Sequence, residues 1–201
     1  GSGNNDVLAW SDEFDGDGSI NNEFWNYETG SGGWGNQEVQ VYTTNSTNIV
    51  KENGVLKITA VKESNGTYTS ARITTQNKID FKYARIDIRA KLPSVAGTWP
   101  ALWMLGDNFS SVGWPRCGEI DIMELIGSSP STVHGTLHFG ADWTQHNYIG
   151  QGTSLPMDQT FADEFHVFSI DWSEEGITWL IDDQPFYSVT SGVTGSQPYP
   201  F

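Results

Sequence analysis

The chain has 201 residues, enough for one domain with a sizeable core. Its 25 Asp and Glu against 10 Lys and Arg give a formal net charge of −15. That balance excludes nucleic acid and anionic membranes as natural partners and weighs against sulfated polysaccharides, because too few cations are present to neutralise phosphates or sulfates. A neutral substrate remains compatible. Nine Trp and 22 Gly, with few helix formers around them, indicate β structure joined by tight turns. One cysteine, Cys117, rules out an internal disulfide and leaves the compartment open. Cys117 is expected as a small buried filler, although by strand period it shares a face with Glu119. No stretch is long and apolar enough to read as a membrane span.

In chain order, residues 1–7 open with Gly-Ser-Gly-Asn-Asn and lack Met. They read as an expression scar and linker, with any secretion signal already absent. Residues 54–61 alternate apolar and polar side chains and are expected as a strand. Asn53-Gly54 and Asn65-Gly66 are turn signals between strands. Residues 84–92 alternate over their whole length and are expected to be half buried. Residues 106–113 read as a polar rim loop. Strands are expected at 133–139, 166–172 and 177–181, the last more continuously apolar, and residues 140–158 read as a second rim loop. No convincing helix and no repeat is present. Many short strands with Gly-rich turns give a sandwich or barrel. Trp10, Trp25, Trp172 and Trp179 are expected to pack the interior.

The segment Glu119-Ile-Asp-Ile-Met-Glu124 places three carboxylates in six residues. On a strand, Glu119 and Asp121 share one face while Ile120 and Ile122 share the other. Clustered like charges repel and raise carboxyl pKa values, a cost that acid–base or glycosyl-transfer chemistry gives a reason to keep. Strict alternation sends Glu124 to the oily face. A one-residue bulge near Met123 turns it back to join the other two acids. Unbulged, the Glu119 and Glu124 Cα atoms would lie roughly 16 Å apart at about 3.3 Å per residue.

Around the acids lie Trp34-Gly-Asn-Gln-Glu-Val-Gln-Val-Tyr42, Thr69-Ser-Ala-Arg-Ile73, Gly97-Thr-Trp-Pro-Ala-Leu-Trp-Met-Leu105, Trp114-Pro115 and Gly135-Thr-Leu-His138. Indoles cover the apolar faces of sugar rings, and Asn, Arg and His bond hydroxyls. On these residues the chain resembles family 16 glycoside hydrolases of the laminarinase (endo-β-1,3-glucanase) type, from Leu8 onward. The resemblance implies an all-β fold, a jelly-roll sandwich of two bent antiparallel sheets with a concave substrate cleft, over residues 8–201. It implies a secreted or cell-surface enzyme that cleaves β-1,3-glucosidic linkages by a retaining double displacement. Glu119 would be the nucleophile, Glu124 the acid and base, and Asp121 the residue that tunes the proton balance between them. Asn36 and Arg72 would bind glucose on the non-reducing side. Trp99, Trp103 and Trp114 would wall the subsites, and His138 would lie near the leaving group. His134, Thr136 and His138 share a strand face, which also allows a metal pair short of a third ligand.

The ending departs from the family's pattern. Two closing strands that relatives add after residue 201 have no counterpart, so the domain is expected to be C-terminally incomplete. A complementing C-terminal fragment, or self-association through unpaired strands, would then be a partner. No cofactor is expected for catalysis. Relatives hold a structural calcium near Glu13, the Gly54 carbonyl and an Asp on the closing strand, and the lack of that Asp counts against the site. Three other readings stand beside the leading one: mixed-linkage β-1,3-1,4-glucanase, an agarase- or carrageenase-like enzyme, and a non-catalytic β-glucan-binding module.

Overall fold

The computed structural model describes residues 7–201, so all but Val7 of the expected linker lies outside the described residues. The chain divides into two compact units, residues up to Asp80 and residues 81–201.

The first unit is built from short strands. These are β1 (Asn26–Glu28), β2 (Val41–Tyr42), β3 (Ile49–Glu52), β4 (Val55–Ile58), β5 (Val61–Lys62), β6 (Tyr68–Ser70) and β7 (Arg72–Thr74). β3 and β4 form a hairpin whose Asn53-Gly54 turn has both residues at positive φ, 54° and 75°, as a two-residue loop demands. The strand expected over 54–61 stops at Ile58 because buried Asn48 captures its continuation. The Thr59 N–H donates to the Asn48 carbonyl (2.8 Å), and the Asn48 amide donates back to the Thr59 carbonyl (3.1 Å). β2 and β6 run parallel, so this unit is not purely antiparallel as expected. Ile20, Ile49 and Ala71 form its small core, with Trp25 packed against them. Trp10 packs edge-on to Phe24.

The second unit is a sandwich of two four-stranded antiparallel sheets. One sheet has the order β12 (Asn147–Ser154), β11 (Thr132–Phe139), β10 (Glu119–Leu125) and β9 (Ala101–Leu105). The other has the order β15 (Gln184–Thr190), β14 (Gly176–Ile181), β13 (His166–Ser173) and β8 (Arg85–Ala90). The strands expected at 84–92, 119–124, 133–139, 166–172 and 177–181 are all present within one or two residues. The expected rim loop 140–158 instead contains the edge strand β12, whose side chains are mostly exposed. Alternation marks a strand with one buried face, and β12 has exposed side chains on both faces, so its composition resembled a loop. The only α-helix among the described residues is a single turn, α1 (Phe109–Val112), inside the other expected loop. No helix among the described residues is long and apolar enough to cross a membrane. The observed class is therefore the all-β jelly-roll sandwich expected from the sequence.

Leu92, Ile120, Ile122, Met123, Leu125, Leu137, Phe168, Ile170 and Trp179 fill the space between the sheets. Cys117 is buried as expected. His166 begins β13, and its Nδ1 lies 2.7 Å from Asp182 Oδ2, while the Val167 N–H donates to Asp182 Oδ1 (2.8 Å). Burial acts to raise the Asp182 carboxyl, but the Val167 N–H and the His166 ring outweigh it and hold the pKa below the usual value. A depressed carboxylate stabilises the fold above its unfolded pKa, and the benefit disappears as pH falls through the folded one. Asp182 is half exposed and solvent screens the pair, so Asp182→Asn is expected to lower Tm at pH 7 by only about 1–2 °C, for a loss of about 0.5 kcal/mol. The difference from the parent should shrink as pH falls below the unfolded carboxyl pKa and vanish below the depressed folded one, and equal melting curves at pH 7 would refute the assignment.

Candidate active site

Register shows where the three acids point. Residues directly opposite each other on paired strands share a face. On β11 the partners of Glu119, Asp121 and Glu124 are His138, Thr136 and His134, each two residues apart. On β9 they are Leu105, Trp103 and Ala101, again two apart. Three steps along β10, from Asp121 to Glu124, thus match two on each neighbour. The extra residue is a bulge, and it returns Glu124 to the face of the other acids. Ile122 and Met123 both go into the core, at 3% and 0% exposure. Asp121 is almost fully buried at 2%, while Glu119 and Glu124 are half-buried.

Each outer acid is held by an indole. Trp114 Nε1–H donates to Glu119 Oε2 (2.7 Å), and Trp99 Nε1–H donates to Glu124 Oε2 (2.8 Å). His138 Nε2 approaches Asp121 Oδ2 at 3.2 Å without hydrogen-bond alignment. The other His138 nitrogen, Nδ1, lies 2.9 Å from His146 Nε2. Burial, and then the neighbouring His138, depress the basicity of His146. That favours His146 as the acceptor in this contact.

Burial first, then the Asp121 charge, push the Glu119 carboxyl well above the ordinary carboxylate range. Burial first, then Glu124, push Asp121 up likewise. Both shifts favour keeping a proton within the Glu119–Asp121 pair near neutral pH, as expected when buried like charges meet. Asp121 lies between the other two acids and its titration responds to both.

One hollow opens beside Glu124, and a second lies at Trp114, whose indole bonds Glu119. The first, of about 280 Å³, is lined by Glu124, Trp99, His134, Thr136 and Tyr148. The other, of about 400 Å³, is lined by Trp114, Trp143, Phe109 and Val112. Trp114 packs against Trp143 and His146 at centroid distances of 4.4 and 4.5 Å, and His138 stacks on His146 at 5.2 Å. Rings in such a row offer flat apolar faces to a sugar and polar edges to its hydroxyls.

Of the residues expected to bind substrate, Trp99, Trp103, Trp114 and His138 come together with the acids. Trp103 lies on the acid-bearing face opposite Asp121. Asn36 and Arg72 belong to the first unit. Asn36 is exposed and its amide donates to Glu38 Oε2 (3.2 Å). Arg72 pairs with Glu28 and lies over the Trp34 ring at 4.9 Å. Of the two residues named for calcium, Glu13 is exposed and Gly54 caps the β3–β4 turn. Among the described residues, Glu119, Asp121 and His138 form the one set of three acidic or histidine ligands whose donor atoms lie within 4.8 Å of one another. The His134–His138 metal pair that the strand face allowed, beside the favoured hydroxyl-binding or satisfied histidine, is not such a set. Sequence reasoning missed Trp143, His146 and Tyr148, because 140–158 read as a loop. The even spacing of His146 and Tyr148 was the available signal.

A jelly-roll sandwich carrying a bulged acid–x–acid–x–x–acid strand beneath a row of aromatic rings defines a carbohydrate-active type of site. The model of glycosyl hydrolases family 16 matches residues 35–201, and the chain belongs to that family. It is 41% identical to glucan endo-1,3-beta-glucosidase A1 of Niallia circulans, over 92% of this chain and 29% of that protein. It is 45% identical to a beta-glucanase of Rhodothermus marinus, over 90% of this chain and 64% of that protein. The chain thus spans less than two thirds of either relative's length. Among solved structures it matches the laminarinase catalytic domain of Thermotoga maritima MSB8 with a TM-score of 0.84 and 41% identity, over 96% of this chain and 82% of that one.

Proposed function

We propose that this chain hydrolyses internal β-1,3-glucosidic bonds of laminarin-type β-glucans with retention of configuration. The observation that carries the proposal is the β10 bulge, which sets Glu119, Asp121 and Glu124 on one face with an indole N–H on each outer acid. The relatives named endo-1,3-β-glucosidase and laminarinase support the linkage.

In the first step a Glu119 oxygen bonds to the anomeric carbon as the bond to the leaving oxygen breaks, and Glu124 gives that oxygen its proton. In the second, Glu124 takes a proton from water, the water oxygen bonds to the anomeric carbon, and Glu119 departs as a carboxylate. Asp121 serves as the proton partner of Glu119. A proton on Asp121 lets Glu119 carry the single negative charge that attack requires, at a site where two charges would repel. Trp99, Trp103, Trp114 and His138 shape the groove, while Asn36 and Arg72 bind sugar on the non-reducing side. The two displacements draw on carboxylates alone, so metal chelation should leave turnover unchanged. Glu13 and the Gly54 carbonyl by themselves are too few oxygen ligands for a structural calcium. EDTA should therefore leave Tm unchanged, and a fall in Tm that calcium reverses would establish the site. We propose likewise that the protein works outside the cell or on its surface, where a polymeric substrate would be met.

The test is reducing-end release from laminarin, with lichenan and agarose as comparisons. Laminarin should be cleaved, and NMR of the earliest products should show the β-anomer. An α-anomer would contradict retention, and inertness towards all three glycans would leave only a binding module.

A further inference from the structure

Trp179 lies on β14, in the sheet that faces the acids' sheet, and is fully buried at 0% exposure. Its indole N–H crosses the core and donates to the backbone carbonyl of Asp121 at 2.9 Å. Asp121 is the residue after which the β10 register shifts against both neighbours. The position of the indole depends on a second residue. Gly135 on β11 faces the core, and a Cβ there would fall 2.5 Å from Trp179 Cδ1 and 2.7 Å from Nε1. Those separations are well below van der Waals contact, so a side chain at 135 would displace the indole. Tyr187, the cross-strand partner of Trp179, packs against the ring at 5.2 Å with an interplanar angle of 31°.

We infer that the Trp179 N–H is the strut that fixes the β10 bulge, which makes Trp179 a positioning residue for Glu119, Asp121 and Glu124. A regular strand would send Glu124 toward the oily interior, so the bulge is what keeps the acids together. A bulge disturbs the ladder locally. A carbonyl at such a point needs a partner from elsewhere, since a buried acceptor left unpaired is costly. Trp179 supplies that donor from the opposite sheet and links the catalytic strand to the second layer of the sandwich. Its hydrogen bond goes to the Asp121 backbone rather than to a carboxylate, so it acts on the acids through the main chain. Positioning errors of about 1 Å at a reacting centre cost about 10²-fold in rate, so the strut should appear in kcat.

The inference rests on the functional reading above for its kinetic arm. Its test replaces Trp179 site-specifically with 3-benzothienylalanine, which keeps the shape of the indole but puts sulfur in place of the N–H. Gly135→Ala approaches the same contact from β11. On laminarin, both variants should lose about 10–100-fold in kcat with KM within about threefold of the parent. A purely structural Trp179 would lower Tm and leave kcat alone. The second arm needs no turnover. Backbone amide exchange at Met123 and Glu124 should speed up at least about tenfold in both variants while β13 stays protected. A folded benzothienylalanine variant with parental exchange at these amides overturns the inference whatever the enzyme cleaves. A parent that does not cleave laminarin but shows the exchange effect would instead sink the substrate assignment.

Discussion

Glu119→Gln should abolish turnover of laminarin, by about 10⁴-fold or more in kcat, while raising thermal stability at pH 8. The kinetic half follows from the role of this oxygen as the atom that bonds to the anomeric carbon, because an amide is a far weaker nucleophile than a carboxylate. The stability half follows from the cost of charge at this position. Burial, and then the Asp121 charge, hold the Glu119 pKa above its unfolded value. A carboxyl with a raised folded pKa favours the fold fully below the unfolded pKa and loses that contribution as pH rises through the folded one. The parent thus gives up stability between about pH 4 and the raised titration. Gln has no charge to acquire and keeps an oxygen for the Trp114 indole. The gain in Tm over the parent should be near zero at pH 4 and grow towards pH 8. Parental kcat would sink the nucleophile assignment. A Tm below the parent's at pH 8 would mean that the buried charge is not the cost described.

The opposing signs help to separate chemistry from folding. Loss of activity in an unstable variant is ambiguous, but loss in a more stable one is not. Asp121 is held by the same forces, burial first and the Glu124 charge second. The acid cluster is therefore a place where the fold gives up stability for function, offset by the apolar contacts of Ile120, Ile122, Met123 and Leu125 on the reverse face.

Much of this was legible in the sequence, and the reasons are physical. A period of two is strong where one face is buried, which is why the strands at 84–92, 166–172 and 177–181 could be read directly. The bulge was legible because Glu124 could not stay on the oily face of a regular strand. β12 was not legible, because an edge strand with exposed side chains carries no apolar period. The two-residue strands β2 and β5 were too short to leave a pattern. The stop at Ile58 depends on Asn48, ten residues away in the chain, reaching the Thr59 backbone. Trp179 was read correctly as core, yet its N–H bond to the Asp121 carbonyl joins residues 58 positions apart. Side-chain to backbone bonds of that range leave no local trace, and Gly135 is recognisable as their counterpart only once both sheets are in place.

Glu124→Gln should behave differently from the nucleophile variant, and the difference assigns the roles. On laminarin, kcat should fall by about 10²–10⁴-fold, the usual worth of a positioned proton donor. The sugar leaving group is poor and needs that proton as the glycosidic bond breaks. An aryl β-glucoside of the same linkage with a dinitrophenolate leaving group needs none, so the variant should still form the glycosyl-enzyme at a rate near the parent's. Water then lacks its base, the intermediate accumulates, and dinitrophenolate should appear as a burst followed by a slow phase. Azide attacks without a base, so adding it should speed the slow phase and yield the β-glycosyl azide, the product of a second inversion at the same carbon. Glu119→Gln should show no burst, and any azide product it forms should be α. A Glu124 variant that hydrolyses laminarin and the aryl glycoside with equal losses, without a burst, would leave Glu124 with no role in proton transfer. The Trp99 indole bonded to its carboxylate would then be a structural contact rather than a means of aiming the acid.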